Sequence, residues 1–161
     1  MTVLLPSGVA RSWFEITMTG PVLIIEDEPD IAEVLRYSLE KAGFNTRTAF
    51  DGTEGLNASL DRTNPPSLIL LDLLLPGMNG LEICRRLRNE PATHHTPIVI
   101  ITAKALPADM NTSFELGVND FIVKPFSVRE VVGQVRSLLL ASEGQSYERI
   151  ALFPPSNGPS V

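Results

Sequence analysis

The stretch Leu68-Ile69-Leu70-Leu71-Asp72 decides the fold of this chain: four apolar residues with no polar interruption, closed by an acid. A strand facing solvent on one side would alternate apolar with polar residues, so this run reads as a strand buried on both faces. The same grammar recurs three times. Val22-Leu23-Ile24-Ile25 runs into Glu26-Asp27, Ile98-Val99-Ile100-Ile101 into Thr102, and Phe121-Ile122-Val123 into Lys124. Strands of this kind belong to parallel sheets, whose C-terminal tips share one edge, and ligands bind in the crevice there. Three acids, a hydroxyl and an amine therefore converge on one site. Carboxylates suit a hard divalent cation, while a hydroxyl and an ammonium suit phosphoryl oxygens.

Between these runs the apolar spacing becomes helical. Pro29-Asp30 opens a helix whose face is Ile31, Val34, Leu35, Ser38, Leu39 and Ala42, stopped at Gly43. Asn45 to Phe50 reads as a short strand, Gly52 to about Leu60 as a weaker helix, and Asp61 to Pro66 as a loop. Pro76-Gly77-Met78-Asn79-Gly80 is turn chemistry before a helix over Leu81 to Asn89, with Arg85, Arg86 and Arg88 mostly outward. A polar helix runs from about Pro107 to Leu116, Asn119 to Val123 is the last strand, and Val128, Val131, Val132, Val135, Leu138 and Leu139 give a closing helix its buried stripe. Five strands alternating with five helices predict right-handed crossovers and a doubly wound α/β domain, a five-stranded parallel sheet in the flavodoxin-like order 2-1-3-4-5. The switch point of that order falls between the first and third strands, where Asp27 and Asp72 meet.

Composition narrows the class. At 161 residues the chain has the length of one domain plus tails, with 43% apolar and 20% charged residues and no apolar run long enough to span a membrane. Thirteen basic against nineteen acidic residues leave a net charge of -6, which argues against direct nucleic-acid binding and favours a protein or small phosphodonor as partner. The single cysteine, Cys84, cannot form an internal disulfide and sits at helical spacing with Leu81 and Leu87, so it reads as a core residue in a cytoplasmic protein. His94 and His95 stand in a polar loop and read as solvated surface. Residues 1–20 read as an N-terminal extension with Met18 as an alternative start, 21–140 as the folded domain, and 141–161, rich in Ser, Gly and Pro, as a flexible tail or truncated linker.

Glu26-Asp27, Asp72, Pro76-Gly77-Met78-Asn79-Gly80, Thr102-Ala103 and Lys124-Pro125-Phe126, in this order and at these strand ends, resemble the receiver domain of bacterial response regulators in two-component signalling. The resemblance covers about Pro21 to Leu140. It implies that Asp72 accepts a phosphoryl group from a histidine kinase or phosphotransfer protein. It implies Mg2+ held by Asp27, Asp72 and the backbone carbonyl of Leu74, with Glu26 acting through water. Lys124 and Thr102 would bind phosphoryl oxygens, and a cis peptide would join Lys124 to Pro125. Thr102 and Phe121 would form the switch, with Phe121 acting by packing alone because it lacks a hydroxyl. Leu74 and Lys104, each two positions beyond a functional residue, would tune the lifetime of the phosphorylated form.

Glu115-Leu116-Gly117-Val118-Asn119-Asp120-Phe121 and Ser127-Val128-Arg129-Glu130 resemble regulators that carry a winged-helix DNA-binding domain and pair through the fourth helix, fifth strand and fifth helix. Where such regulators carry basic residues this chain has Met110 and Gln134, leaving Glu130 and Asp120 without their usual partners. Four alternatives compete with a free-standing phosphorelay receiver: a receiver fragment of a longer DNA-binding regulator, a receiver from a hybrid kinase, an aspartate-nucleophile phosphatase on a similar fold, and a purely structural receiver that never meets phosphate, against which the full set of acids stands. The phosphatase would need an acid or base two residues after its nucleophile, and Leu74 stands there. The expectation is therefore a signalling domain and not an enzyme.

Overall fold

The computed structural model describes residues 2–4, 10–12 and 20–152, with side chains over 20–141. Five parallel strands, β3 (Val22–Ile25), β4 (Thr46–Ala49), β5 (Leu68–Leu71), β6 (Ile98–Thr102) and β7 (Asp120–Val123), lie in the order β4-β3-β5-β6-β7. This is the expected 2-1-3-4-5 order. Five helices alternate with them: α1 (Pro29–Lys41), α2 (Gly52–Ser59), α3 (Gly80–Asn89), α4 (Pro107–Glu115) and α5 (Val128–Leu152). A separate antiparallel pair, β1 (Thr2–Leu4) and β2 (Ala10–Ser12), lies in the N-terminal stretch read as an extension. Met18 and residues 153–161 fall outside the described residues.

The uninterrupted apolar runs resolve into two packed faces. Leu23, Ile25, Ile69, Leu71, Ile98 and Ile100 point one way, onto Leu56 of α2 and Ile83, Cys84 and Leu87 of α3. Their sequence neighbours Val22, Ile24, Leu68, Leu70, Val99 and Ile101 point the other way, onto Leu35 and Leu39 of α1 and Val131, Val135 and Leu139 of α5. Each fully buried aliphatic side chain contributes roughly 1.5–3 kcal/mol, whereas exposed pairs such as Arg36 with Glu33 contribute under about 1 kcal/mol. The two-sided core therefore holds the sheet, and with it the strand tips.

Local signals set the helix starts. Asp51 accepts from the Glu54 amide at 2.8 Å and Glu54 reaches back to the Phe50 amide at 3.1 Å, a reciprocal cap for α2. Asn79 accepts from the Leu81 amide at 2.9 Å and opens α3. Gly80 follows because nothing larger fits: a Cβ there would lie 2.6 Å from the Asp72 carbonyl oxygen and 2.8 Å from the Leu73 Cα. The first turn of α3 thus rests directly on the tip of β5.

Three expectations are corrected. Val34 is 47% exposed and off the buried face of α1, which is made by Ala32, Leu35 and Leu39: at about 100° per residue Ala32 lines up with Leu35 and Leu39 at i+3 and i+7, and the buried stripe is centred on that row. Arg88 is not outward: its guanidinium bonds five backbone carbonyls, a partnership assembled from distant segments. Helix α5 runs on to Leu152, past the tail boundary at Ala141, because residues 141–152 hold one glycine and no proline and the prolines begin at Pro154.

Gly80→Ala is expected to lower stability by roughly 1–3 kcal/mol through overpacking at the β5 tip. Urea denaturation checks this, and an unchanged midpoint counts against so tight a contact.

Candidate functional site

The tips of β3 and β5 are in register, with Ile25 opposite Leu71, and the Asp72 amide donates to the Ile25 carbonyl at 3.0 Å. That bond fixes Asp72 beside Glu26 and Asp27. One carboxylate oxygen from each of the three lies within 4.8 Å of the others, a donor set of hard oxygens suited to a divalent cation. Glu26 and Asp72 are almost wholly buried, at 2% and 4% exposure, while Asp27 reaches solvent.

Lys124, on the tip of β7, closes the cluster. Its Nζ donates to Asp72 Oδ2 at 2.8 Å and to Glu26 Oε2 and Oε1 at 2.9 and 3.1 Å, and Glu28 Oε1 stands 3.4 Å away at the exposed rim. The peptide from Lys124 to Pro125 is cis, as the resemblance implied. The Lys124 amide donates to the Thr102 carbonyl at 2.9 Å, so β6 and β7 deliver the amine and the hydroxyl together. The second Asp72 oxygen accepts from the Leu74 amide at 3.0 Å, and Glu26 Oε1 accepts from the Glu28 amide at 3.2 Å.

Burial pushes the Glu26 carboxyl up to about 7; the Lys124 hydrogen bond opposes the rise and the Asp72 charge adds to it. For Lys124, burial works against the charge, but the hydrogen bonds it donates to Asp72 and Glu26 and the attraction of those carboxylates outweigh it, and the ammonium is held above its ordinary range. The ammonium is firmly charged and the acids around it are not all balanced. Burial also pushes the Cys84 thiol up to about 11, in keeping with a core residue.

The remaining predicted residues fall around this centre. Thr102 is fully buried and its Oγ1 accepts from the Lys104 amide at 3.2 Å. Leu74 is half exposed beside Asp72, and the Lys104 ammonium lies 3.4 Å from Asp109 Oδ2. Phe121 is half-buried against the α3 side of the core, His94 and His95 are exposed, and Gln134 Nε2 donates to Asp120 Oδ2 at 2.5 Å, giving Asp120 a partner within the chain. Sequence reasoning missed Glu28, although the run Glu26-Asp27-Glu28 carried a third acid in plain view.

A family model described as the response regulator receiver domain matches residues 22–136. The chain belongs to the response regulator receiver family. The receiver is 40% identical over 136 residues to the DNA-binding response regulator MtrA of Mycolicibacterium smegmatis, covering 84% of this chain and 58% of that protein. It is 42% identical over 118 residues to the response regulator ArlR of Staphylococcus aureus, covering 73% and 52%. The receiver thus spans little more than half the length of these relatives. Among solved structures it is similar to a Francisella response regulator receiver domain, with TM-score 0.69, 28% identity and coverage of 76% of this chain and 98% of that one. It is also similar to the receiver domain of a histidine kinase from Syntrophus aciditrophicus, with TM-score 0.67, 32% identity and coverage of 88% and 96%. A receiver is a signalling domain of two-component systems and not a classical enzyme. No helix among the described residues is long and apolar enough to cross a membrane.

Removing the ammonium as Lys124→Met strands two buried carboxylates and is expected to cost on the order of 3 kcal/mol at pH 8. Because the folded Glu26 carboxyl lies above its unfolded value of 4.5, its stabilising contribution is full at low pH and is lost as the pH rises toward 7. The gap between variant and parent should therefore narrow toward pH 5. Denaturation at pH 5 and pH 8 measures both, and a gap independent of pH would contradict the assignment.

Proposed function

We propose that residues 21–140 act as a phosphorylatable receiver in a two-component phosphorelay, with Asp72 as the acceptor. The observation that carries this reading is the cluster of Glu26, Asp27 and Asp72 bridged by Lys124, with Thr102 on the adjoining strand tip. An Asp72 carboxylate oxygen attacks the phosphorus of a phosphohistidine on a histidine kinase or phosphotransfer protein. The new O–P bond forms as the N–P bond breaks, and the bonding pair leaves with the imidazole nitrogen. The Leu74 amide and Lys124 hold the two Asp72 oxygens in place for that attack.

The donor set fits Mg2+: Asp27 and Asp72 would hold it directly, the Leu74 carbonyl would add a third protein oxygen, and Glu26 would act through water. When bound, the ion supplies positive charge against which the transferred phosphoryl oxygens are neutralised and oriented. Lys124 contributes a compact ammonium to one phosphoryl oxygen and Thr102 a hydroxyl donor to another.

The acyl phosphate carries about -1.5 to -2 charge where the Asp72 carboxylate carried -1, together with new acceptor oxygens, and the domain answers as two packings whose balance that change shifts. Thr102 and Phe121 are the switch residues, one near the phosphate and one packed against the core. The output surface is built by α4, β7 and α5, and it serves a protein partner or a second copy of the chain. Leu74 and Lys104 border the acceptor and the threonine and set how long the phosphate lasts. Charge opposes nucleic-acid contact by this segment itself, and the single buried thiol fits a cytoplasmic setting. Any activity of its own is confined to self-phosphorylation and self-dephosphorylation.

Incubation with a small phosphodonor and Mg2+ is expected to add one phosphoryl group per chain, seen as a mass gain that vanishes in Asp72→Asn. Continuous hydrolysis of a phosphomonoester, instead of a single burst of incorporation, would favour the phosphatase reading.

A further inference from the structure

Between the tip of β5 and the start of α3, residues 74–78 form neither helix nor strand, yet the candidate cation site depends on them. The Leu74 amide holds an Asp72 oxygen at 3.0 Å, and the Leu74 carbonyl is the one main-chain group assigned to the ion. Among the described residues, the backbone of this segment makes a single hydrogen bond to other backbone, from the Gly52 amide to the Pro76 carbonyl at 2.9 Å. The rest of its hold is side-chain packing, by Leu75 and Met78 against the core.

Gly52 does more than donate. A Cβ on it would stand 2.3 Å from the Met78 carbonyl oxygen, 2.7 Å from the Met78 Cβ and 2.8 Å from the Met78 nitrogen, closer than a side-chain carbon can come to main chain. The first turn of α2 and the Pro76-Gly77-Met78 turn therefore touch backbone to backbone, and only glycine permits it. Gly77 completes the contact: at φ +85 it carries the chain past Thr53, whose Oγ1 would lie 3.4 Å from a Cβ there.

Neither neighbour yields easily. Helix α2 is held by the Asp51 cap and by Gly55, where a Cβ would lie 2.6 Å from the Ile25 side chain. On the other side Gly80 is seated against the Asp72 carbonyl and the Leu73 Cα, and its amide donates to the Leu73 carbonyl at 3.2 Å. A side chain at position 52 must therefore push the stretch between, and Leu74 lies in it.

We propose that Gly52 is a positioning residue that selects the ion: by clamping Pro76 to Met78 it fixes the Leu74 carbonyl, and so makes the site prefer Mg2+ to Ca2+. The selection rests on the cation reading of the acid cluster; the clamp does not. Mg2+ demands near-ideal octahedral oxygens at about 2.0–2.1 Å, whereas Ca2+ accepts more oxygens, at about 2.3–2.6 Å, in flexible arrangements. A displaced carbonyl therefore penalises the smaller ion more.

Titration calorimetry of the intact chain with Mg2+ and, separately, Ca2+ reads this as a ratio of affinities. Gly52→Ala should weaken Mg2+ binding by about tenfold, the lower end for loss of a group that orients a ligand, and Ca2+ binding by less than about threefold. Gly77→Ala, which strains the same turn without a backbone clash, should shift the ratio in the same direction, and it decides the matter if Gly52→Ala does not fold. Gly20→Ala is the control. At φ +137 and with a Cβ 2.5 Å from the Pro65 carbonyl oxygen, it strains the opposite end of the sheet and should lower stability with the ratio unchanged. An unchanged ratio in either turn variant that folds, or an equal shift in Gly20→Ala, overturns the proposal. A parent that takes up neither ion defeats the cation reading and the selection with it, while hydrogen exchange without metal still judges the clamp. The Gly52 amide should exchange slowly in the parent and about tenfold faster in Gly77→Ala. A Gly52 amide that already exchanges freely in the parent overturns the clamp.

Discussion

Carboxylates packed side by side out of water repel unless positive charge is supplied among them or one of them holds its proton. At about 4 Å and an effective dielectric constant near 20, two like charges repel by on the order of 4 kcal/mol, a large part of the stability of a domain. Here the Lys124 ammonium bridges Asp72 and Glu26, and it is carried on the tip of β7, the sheet's far edge from β4. The order of the strands and the cohesion of the site are thus tied together. Unless β5 and β6 lie between β3 and β7 in this register, the amine does not reach the acids.

One ammonium does not balance the cluster. Glu26, Asp27, Asp72 and, at the rim, Glu28 face a single lysine, so the acids outnumber the positive charge among them. Glu26 shows the strain, because its carboxyl is held near 7 by burial even with Lys124 beside it. A site left in deficit in this way is poised for a cation and, through the cation, for the oxygens of a phosphoryl group.

The sequence was most legible where one short segment carries the whole signal. Three or four apolar residues followed by Glu26, Asp72, Thr102 or Lys124 announce both a buried strand and the chemistry at its tip, and the structure brings the three acids and the amine together. Sequence reasoning failed where partners come from elsewhere in the chain. Arg88 looks like any polar helix residue until residues 93–96 and 116–117 fold around it, and nothing local marks Val34 as outward and Ala32 as inward. The tail was misjudged by averaging: prolines from 154 onward coloured a segment whose first twelve residues are compatible with helix. Asp109 is an ordinary acid in a first helical turn by sequence, and only its enclosure beside Lys104 sets it apart.

Calorimetric titration of the intact chain with Mg2+ at pH 8 tests the central claim most directly, that a charge deficit at the β3 and β5 tips makes a cation site. The account predicts one saturable site per chain, strongly weakened in Asp27→Asn. Absence of saturable uptake at millimolar Mg2+, or uptake indifferent to that substitution, would contradict it.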